Sequence, residues 1–171
     1  MAVRQANRPI AIDIDEQGKR RIAEMYRKAK SVDSGVLAKE MRKRLRSGAL
    51  PAQRLAKASA RGLPTRGHGS TGLRRRMARS IGTQVRLTGD PTVRVRLPRS
   101  KMTSPYGQDS LPQYANRYGS WRKRLFGTDV WTRQDMPGWK EWFDRPMRES
   151  VAAVGLELNK VFDDIDRRLK M

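Results

Sequence analysis

Eight of the chain's eleven aromatic residues, all four tryptophans among them, fall within thirty residues from Tyr114 to Phe143. Large aromatic side chains bury more area than any others, so a packed surface must form wherever they gather. Arg, Lys, Gly and Pro interleave with them, and the spacing follows neither a long helix nor a long strand. The segment therefore predicts an ordered loop or β-arm that docks on something. It could fold over the chain's own core, since large aromatics are usually packed somewhere. The rest of the chain is poor in core-forming residues, which favours a neighbour as the docking surface. Residues 106–143 are accordingly expected to form an interface arm, with Trp121, Phe126, Trp131, Trp139 and Trp142 as anchors.

Charge is the second constraint. Thirty-eight basic and seventeen acidic residues give a formal net charge of +21 in a chain of 171 residues. Residues 39–101 hold eighteen basic and two acidic side chains, whereas residues 141–171 hold six and seven. A strongly cationic middle repels itself and calls for a polyanion. Nucleic acid satisfies that demand; an acidic protein or an anionic membrane surface would satisfy the same charge. The length suits one domain, 1–171. No apolar run approaches the ~20 residues of a membrane span. The first residues, Met-Ala-Val-Arg-Gln-Ala-Asn-Arg, lack the apolar centre of a secretory signal.

Periodicity organises the remainder. Residues 1–15 read as an extension ending in a strand, with Ile10, Ile12 and Ile14 alternating on one face. Asp15 is placed to cap a helix whose apolar face is Ile22, Met25, Tyr26 and Ala29. A second helix starts in the 31–34 region, with Leu37, Met41 and Leu45 on one stripe and Lys39, Arg42, Lys43 and Arg46 opposite. Ser47-Gly48 and Pro51 kink or break it, and 51–61 resume a helical pattern. Residues 62–72 are Gly-rich loop, and 73–79 a short helical turn. Strands over 83–88 and 92–97 flank Gly89-Asp90-Pro91, a hairpin signal. Val85, Leu87, Val93, Val95 and Leu97 fall on its apolar side, and Arg86, Arg94 and Arg96 on the other.

Residues 145–170 close the chain as an amphipathic helix, with Met147, Val151, Val154, Leu158, Val161, Ile165 and Leu169 recurring every three or four positions. A small core would bury only part of that stripe. The rest should pack on residues 16–30 or on a neighbouring subunit, with the last turns, Leu169 included, expected at a subunit boundary. The expected fold class is α+β: a small antiparallel sheet packed by two or three helices, with a long aromatic-rich arm and this C-terminal helix.

Signals for catalysis are nearly absent. With no cysteine, thiol nucleophiles, disulfides and Cys-based zinc sites are excluded. His68 lies alone in a Gly-rich loop, and no Walker-type phosphate loop is present. Asp163, Asp164 and Asp166 could hold Mg²⁺, but Arg167, Arg168 and Lys170 follow at once, which predicts a solvated helix end. The expectation is a non-enzyme with no cofactor and no metal. The densest cationic cluster is Arg74, Arg75, Arg76 and Arg79. Guanidinium forks engage phosphate in bidentate fashion, so these four, with Arg86, Arg94 and Arg96, are the candidate polyanion-facing residues. No helix-turn-helix, zinc-finger or ribonucleoprotein signature points to sequence-specific readout.

One order of parts stands out: the Gly-rich loop leading into Gly72-Leu73-Arg74-Arg75, the basic hairpin, Gly119-Ser120-Trp121-Arg122-Lys123-Arg124-Leu125-Phe126-Gly127-Thr128, Trp131, a Pro-Gly-Trp turn, and Phe143-Asp144-Arg145-Pro146 before the last helix. From about residue 35 onward this resembles the neck proteins of long-tailed double-stranded-DNA bacteriophages, also called tail-completion or head–tail connector proteins. In residues 119–131, Lys123-Arg124 stand where a His-Pro pair is common in that family. The resemblance implies a structural virion protein, assembled in the host cytoplasm and placed in the neck between capsid and tail. It implies a homo-oligomeric ring, a hexamer first and a dodecamer as the alternative, with neighbouring neck, stopper or adaptor and tail-terminator proteins as partners and genomic DNA in the lumen. The opposing class is a cellular, sequence-independent DNA- or RNA-binding protein of the nucleoid or ribosome.

Overall fold

Asp15 does what its position predicts. In the computed structural model its carboxylate accepts a hydrogen bond from the Gly18 amide at 2.8 Å and opens helix α1, Glu16–Val32. The structure describes residues 11–12, 15–32, 35–64, 72–102, 111–124 and 129–169. In order, they form β1 (Ala11–Ile12), α1, α2 (Val36–Gly48), α3 (Leu50–Gly62), α4 (Leu73–Ser80), β2 (Gly82–Arg86), β3 (Thr92–Arg96), a 3-10 turn (Arg99–Met102), α5 (Leu111–Tyr118), β4 (Ser120–Arg124), β5 (Trp131–Asp135) and α6 (Asp144–Leu169). The class is α+β, with two small antiparallel sheets. Where a single domain is expected, the chain forms two compact units. The first contains Leu55–Ile81 and Leu97–Arg148; the second contains Ala11–Arg54, Gly82–Arg96 and the chain from Glu149 on.

The second unit holds the three-stranded sheet, in the order β1-β3-β2. Both pairings are antiparallel, with Ile12 opposite Val95 and Val85 opposite Val93. Gly89 takes φ 70°, a left-handed turn conformation that a side chain would strain. The expected alternation holds in part: Val93 and Val95 are buried and Arg86, Arg94 and Arg96 share the opposite face, but Val85 is only partly buried. Helix α1 buries Ile22, Met25 and Ala29, and α2 buries Ala38, Met41 and Leu45. The α2–α3 break falls at Ala49, where Pro51 can occupy the first turn of α3 but could not continue α2. A side chain at Gly48 would place its Cβ 2.9 Å from Leu158 Cδ2 and 3.7 Å from Leu158 Cα. Gly48 therefore lets the end of α2 approach α6 closely.

Two expectations for α6 need correction. Part of its C-terminal half packs within the chain itself. Leu158, Phe162 and Ile165 are buried, and Arg21 of α1 reaches Asp163 at 2.6 Å and Asp166 at 3.4 Å, with its guanidinium 4.9 Å above the Phe162 ring. Arg44 of α2 pairs with Asp164. The acidic cluster thus pairs α6 with α1 and α2, although Asp163 itself stays 65% exposed. Earlier in the helix, Val151 of the stripe is 56% accessible, and Leu156, outside the stripe, 65%. The side chain of Leu169 lies outside the described residues.

The first unit is organised around Asn116. Its carboxamide oxygen accepts from the Phe143 amide at 2.8 Å, its nitrogen donates to Asp144 at 2.8 Å, and its carbonyl accepts from the Glu141 amide at 2.6 Å. A buried side chain on α5 thereby supplies the acceptor that the first amides of α6 lack within their own helix. Glu141, the non-glycine residue with φ 56°, is held by this contact. The expected β-arm is present as the β4–β5 hairpin, with Trp121 opposite Gln134 and Arg124 opposite Trp131. Helix α5, which the irregular aromatic spacing did not predict, precedes it.

Candidate polyanion and partner interfaces

The aromatic segment divides in two. Trp139 and Trp142 are 5% and 3% accessible, and their indole N–H groups donate to the carbonyls of Pro64 at 2.9 Å and Pro112 at 3.1 Å. Trp142 meets Phe143 edge-on at 5.6 Å, and Ser59 donates its hydroxyl proton to the Trp142 carbonyl. Gly138 has φ 79°, and a Cβ there would sit 3.0 Å from Pro64. These two tryptophans were expected to grip a neighbour and instead form the core of their own unit. The physical reason is that both indole donors and both rings are satisfied within the chain.

The remaining described aromatics of the segment are less buried. Trp131 is 51% accessible and Val130 beside it 56%. Trp121 is half-buried, standing edge-on to Tyr114 at 5.6 Å, while Tyr114 meets Tyr118 at 5.9 Å. Arg117 lies 5.2 Å over the Tyr118 ring. Tyr118, Tyr114 and Trp121 thus form a ladder running from α5 onto β4, topped by an arginine. Aromatic and Arg side chains of this kind dominate the energetics of protein interfaces. Phe126 lies outside the described residues.

The candidate cations also divide. Arg74 to Arg79 belong to the first unit, and Arg86, Arg94 and Arg96 to the second. Arg74 donates to the Leu63 carbonyl at 2.6 Å and to the Arg61 carbonyl at 3.3 Å, closing the carbonyl end of α3. It serves the fold and is not aimed at phosphate. Arg76 is half-buried, whereas Arg75 and Arg79 are exposed. On the hairpin, Arg86 at the sheet edge is exposed, but Arg94 and Arg96 on the central strand are half-buried, and Thr92 on the same face is only 3% accessible. The cationic side of the ribbon is therefore partly covered. Of the seven arginines, Arg75, Arg79 and Arg86 are the exposed ones.

A better cationic surface lies on α2. Lys39, Arg42, Lys43 and Arg46 are all exposed, and they follow one another at the three- and four-residue spacing of a single helix face. Like charges so spaced on a helix are destabilising by roughly 0.2–0.5 kcal/mol a pair. Glu40, the one carboxylate of α2, is turned to Arg44 at 2.8 Å. Several other described carboxylates of this unit are similarly engaged: Glu16 with Lys19, Glu24 with Lys28, Glu157 with Lys160, and the acidic cluster of α6 with Arg21 and Arg44. Within the Glu24–Lys28 pair, the Lys28 hydrogen bond and charge hold the Glu24 carboxyl below its usual range, and Glu24 raises Lys28 in return. The α2 face was visible in the sequence as the polar side of a helix. What singles it out is the structural fact that the neighbouring acids are committed elsewhere.

Among the described residues, no group of His, Cys, Asp or Glu is arranged to hold a metal ion, and no helix is long and apolar enough to cross a membrane. These features define a class: a very basic α+β protein with an exposed cationic helix face and a hairpin arm rooted in its own core. No family model, curated protein or solved structure matches the chain.

Proposed function

We propose that this protein is a structural component of the neck of a long-tailed double-stranded-DNA bacteriophage, acting in head–tail joining and tail completion and performing no catalysis. Copies form a ring around the DNA channel, a hexamer first and a dodecamer as the alternative. Neighbouring neck, stopper or adaptor and tail-terminator proteins lie above and below it. The observation that carries this reading is the construction of the aromatic segment. Trp139 and Trp142 root it in the core, while Trp121 and Trp131 stand on a hairpin at the surface. A rooted arm loses little entropy on docking, which favours a permanent subunit contact. The net charge of +21 suits a wall around a genome.

Mass photometry of the purified chain, alone and mixed with lysate from phage-infected cells, tests the reading. Rings, or monomers that join neck particles, are expected. A chain that stays monomeric and enters no particle would instead support the cellular nucleic-acid-binding class.

A further inference from the structure

We infer that the exposed face of α2, formed by Lys39, Arg42, Lys43 and Arg46, is a binding surface for the phosphate backbone of duplex DNA. The inference deepens the proposed function and rests on it only for the identity of the DNA. Helical geometry places Lys39 and Arg46 about 10.5 Å apart along the axis, with Arg42 and Lys43 between them. That is a continuous strip of positive charge facing solvent. A duplex carries one negative charge per ~1.7 Å of its axis, so a strip of this length can neutralise several phosphates at once.

Three observations favour duplex over other polyanions. The four cationic positions are interleaved with no exposed aromatic residue, so the strip offers no platform on which unpaired bases could stack. The strip exposes one apolar side chain at its N-terminal end, Val36, where an interfacial helix needs a continuous apolar face to insert among lipid headgroups. Finally, each of the four is exposed, and the nearest described carboxylates are engaged by other cations, Glu40 by Arg44 and Asp164 by Arg44 and Arg167. Arg74, the head of the cluster that sequence alone marks for phosphate, is by contrast spent on the carbonyls of α3. Because the contacts go to phosphate, binding is independent of base sequence.

The test compares the full chain with a quadruple variant, Lys39→Gln, Arg42→Gln, Lys43→Gln and Arg46→Gln, by fluorescence anisotropy on a 25-base-pair duplex of arbitrary sequence. Glutamine is a comparable helix former, and the variant's circular dichroism should match that of the parent. If all four cations meet phosphates, the slope of log K against log salt should flatten by about 3.6. Raising salt from 50 to 200 mM would then cost the parent roughly 150-fold more affinity than the variant. An unchanged slope and affinity in the variant would overturn the inference, even if both proteins assemble into rings. So would a variant that loses binding to phosphatidylserine vesicles but keeps its hold on duplex. Conversely, a chain that forms no ring and enters no neck particle, yet loses salt dependence in the variant as expected, would retire the neck proposal and leave the α2 surface standing.

Discussion

Two tryptophans eleven residues apart should respond oppositely to the same truncation. Trp142 is 3% accessible, packs edge-on against the fully buried Phe143, and donates its indole N–H to the Pro112 carbonyl. Removing a buried tryptophan side chain costs about 3–5 kcal/mol. The Pro112 carbonyl also loses its donor in a buried setting, which pushes the figure toward the upper end of that range. Trp131 sits on β5 with half its surface already in water. Its cross-strand contacts are of the kind worth about 0.2–1 kcal/mol. Since a domain of this size is stable by only about 5–15 kcal/mol, Trp142→Ala removes a large share and Trp131→Ala very little.

Urea denaturation followed by circular dichroism reads the difference directly. With a slope of about 2 kcal/mol per molar, the midpoint should fall by about 2 M for Trp142→Ala and by no more than ~0.5 M for Trp131→Ala. Assembly, read by mass photometry, should show the reverse order among variants that remain folded: Trp131→Ala impairs it while leaving the fold intact. Equal midpoint shifts would refute the division of the aromatic segment into a root and a docking surface.

Asn116→Ala should lower stability by about 2–4 kcal/mol, because it strands the Phe143 amide and removes the partner of Asp144; calorimetry would show it as a drop in Tm. Gly48→Val should cost about 1–3 kcal/mol by forcing its side chain into Leu158, and Leu158→Ala should relieve part of that cost in the double variant, as chemical denaturation can measure. For the Arg44–Asp164 pair, a double-mutant cycle to alanine should give a coupling of about 1–2 kcal/mol that persists in 0.5 M salt, since both side chains are partly buried. A coupling that vanishes with salt would place the pair among ordinary surface contacts.

What could be read from the sequence follows from range. Asp15 and the stripes of α1 and α2 were legible because a cap and an apolar face are defined within a few residues of themselves. The β2–β3 hairpin was legible for the same reason, its turn and its alternation lying together between Gly82 and Arg96. The fate of Trp139 and Trp142 was not, because the carbonyls that receive their N–H groups lie 75 and 30 residues away. The acidic end of α6 misled in the same way. Arg167 and Arg168 are its neighbours in sequence, but Arg21 and Arg44, its partners in space, precede it by more than a hundred residues. Helix α5 was hidden by its own composition: Pro112 lies in its first turn, where proline is tolerated, and Tyr114, Tyr118 and Trp121 resemble a loop until α5 and β4 are separated.

The cationic surface shows how a sequence count can point to the wrong place. Arg74-Arg75-Arg76 is the densest basic run, yet density along the chain says nothing about the direction of the side chains. One of the three is consumed by the end of a helix, and a second is half-buried. The α2 residues are spread over eight positions and so look dilute, but helical winding collects them onto one face. The same fold then draws the nearby carboxylates into the α1–α2–α6 clasp. The four cations on that face therefore repel one another by roughly 0.2–0.5 kcal/mol a pair, a cost that salt screens and that a bound polyanion would relieve.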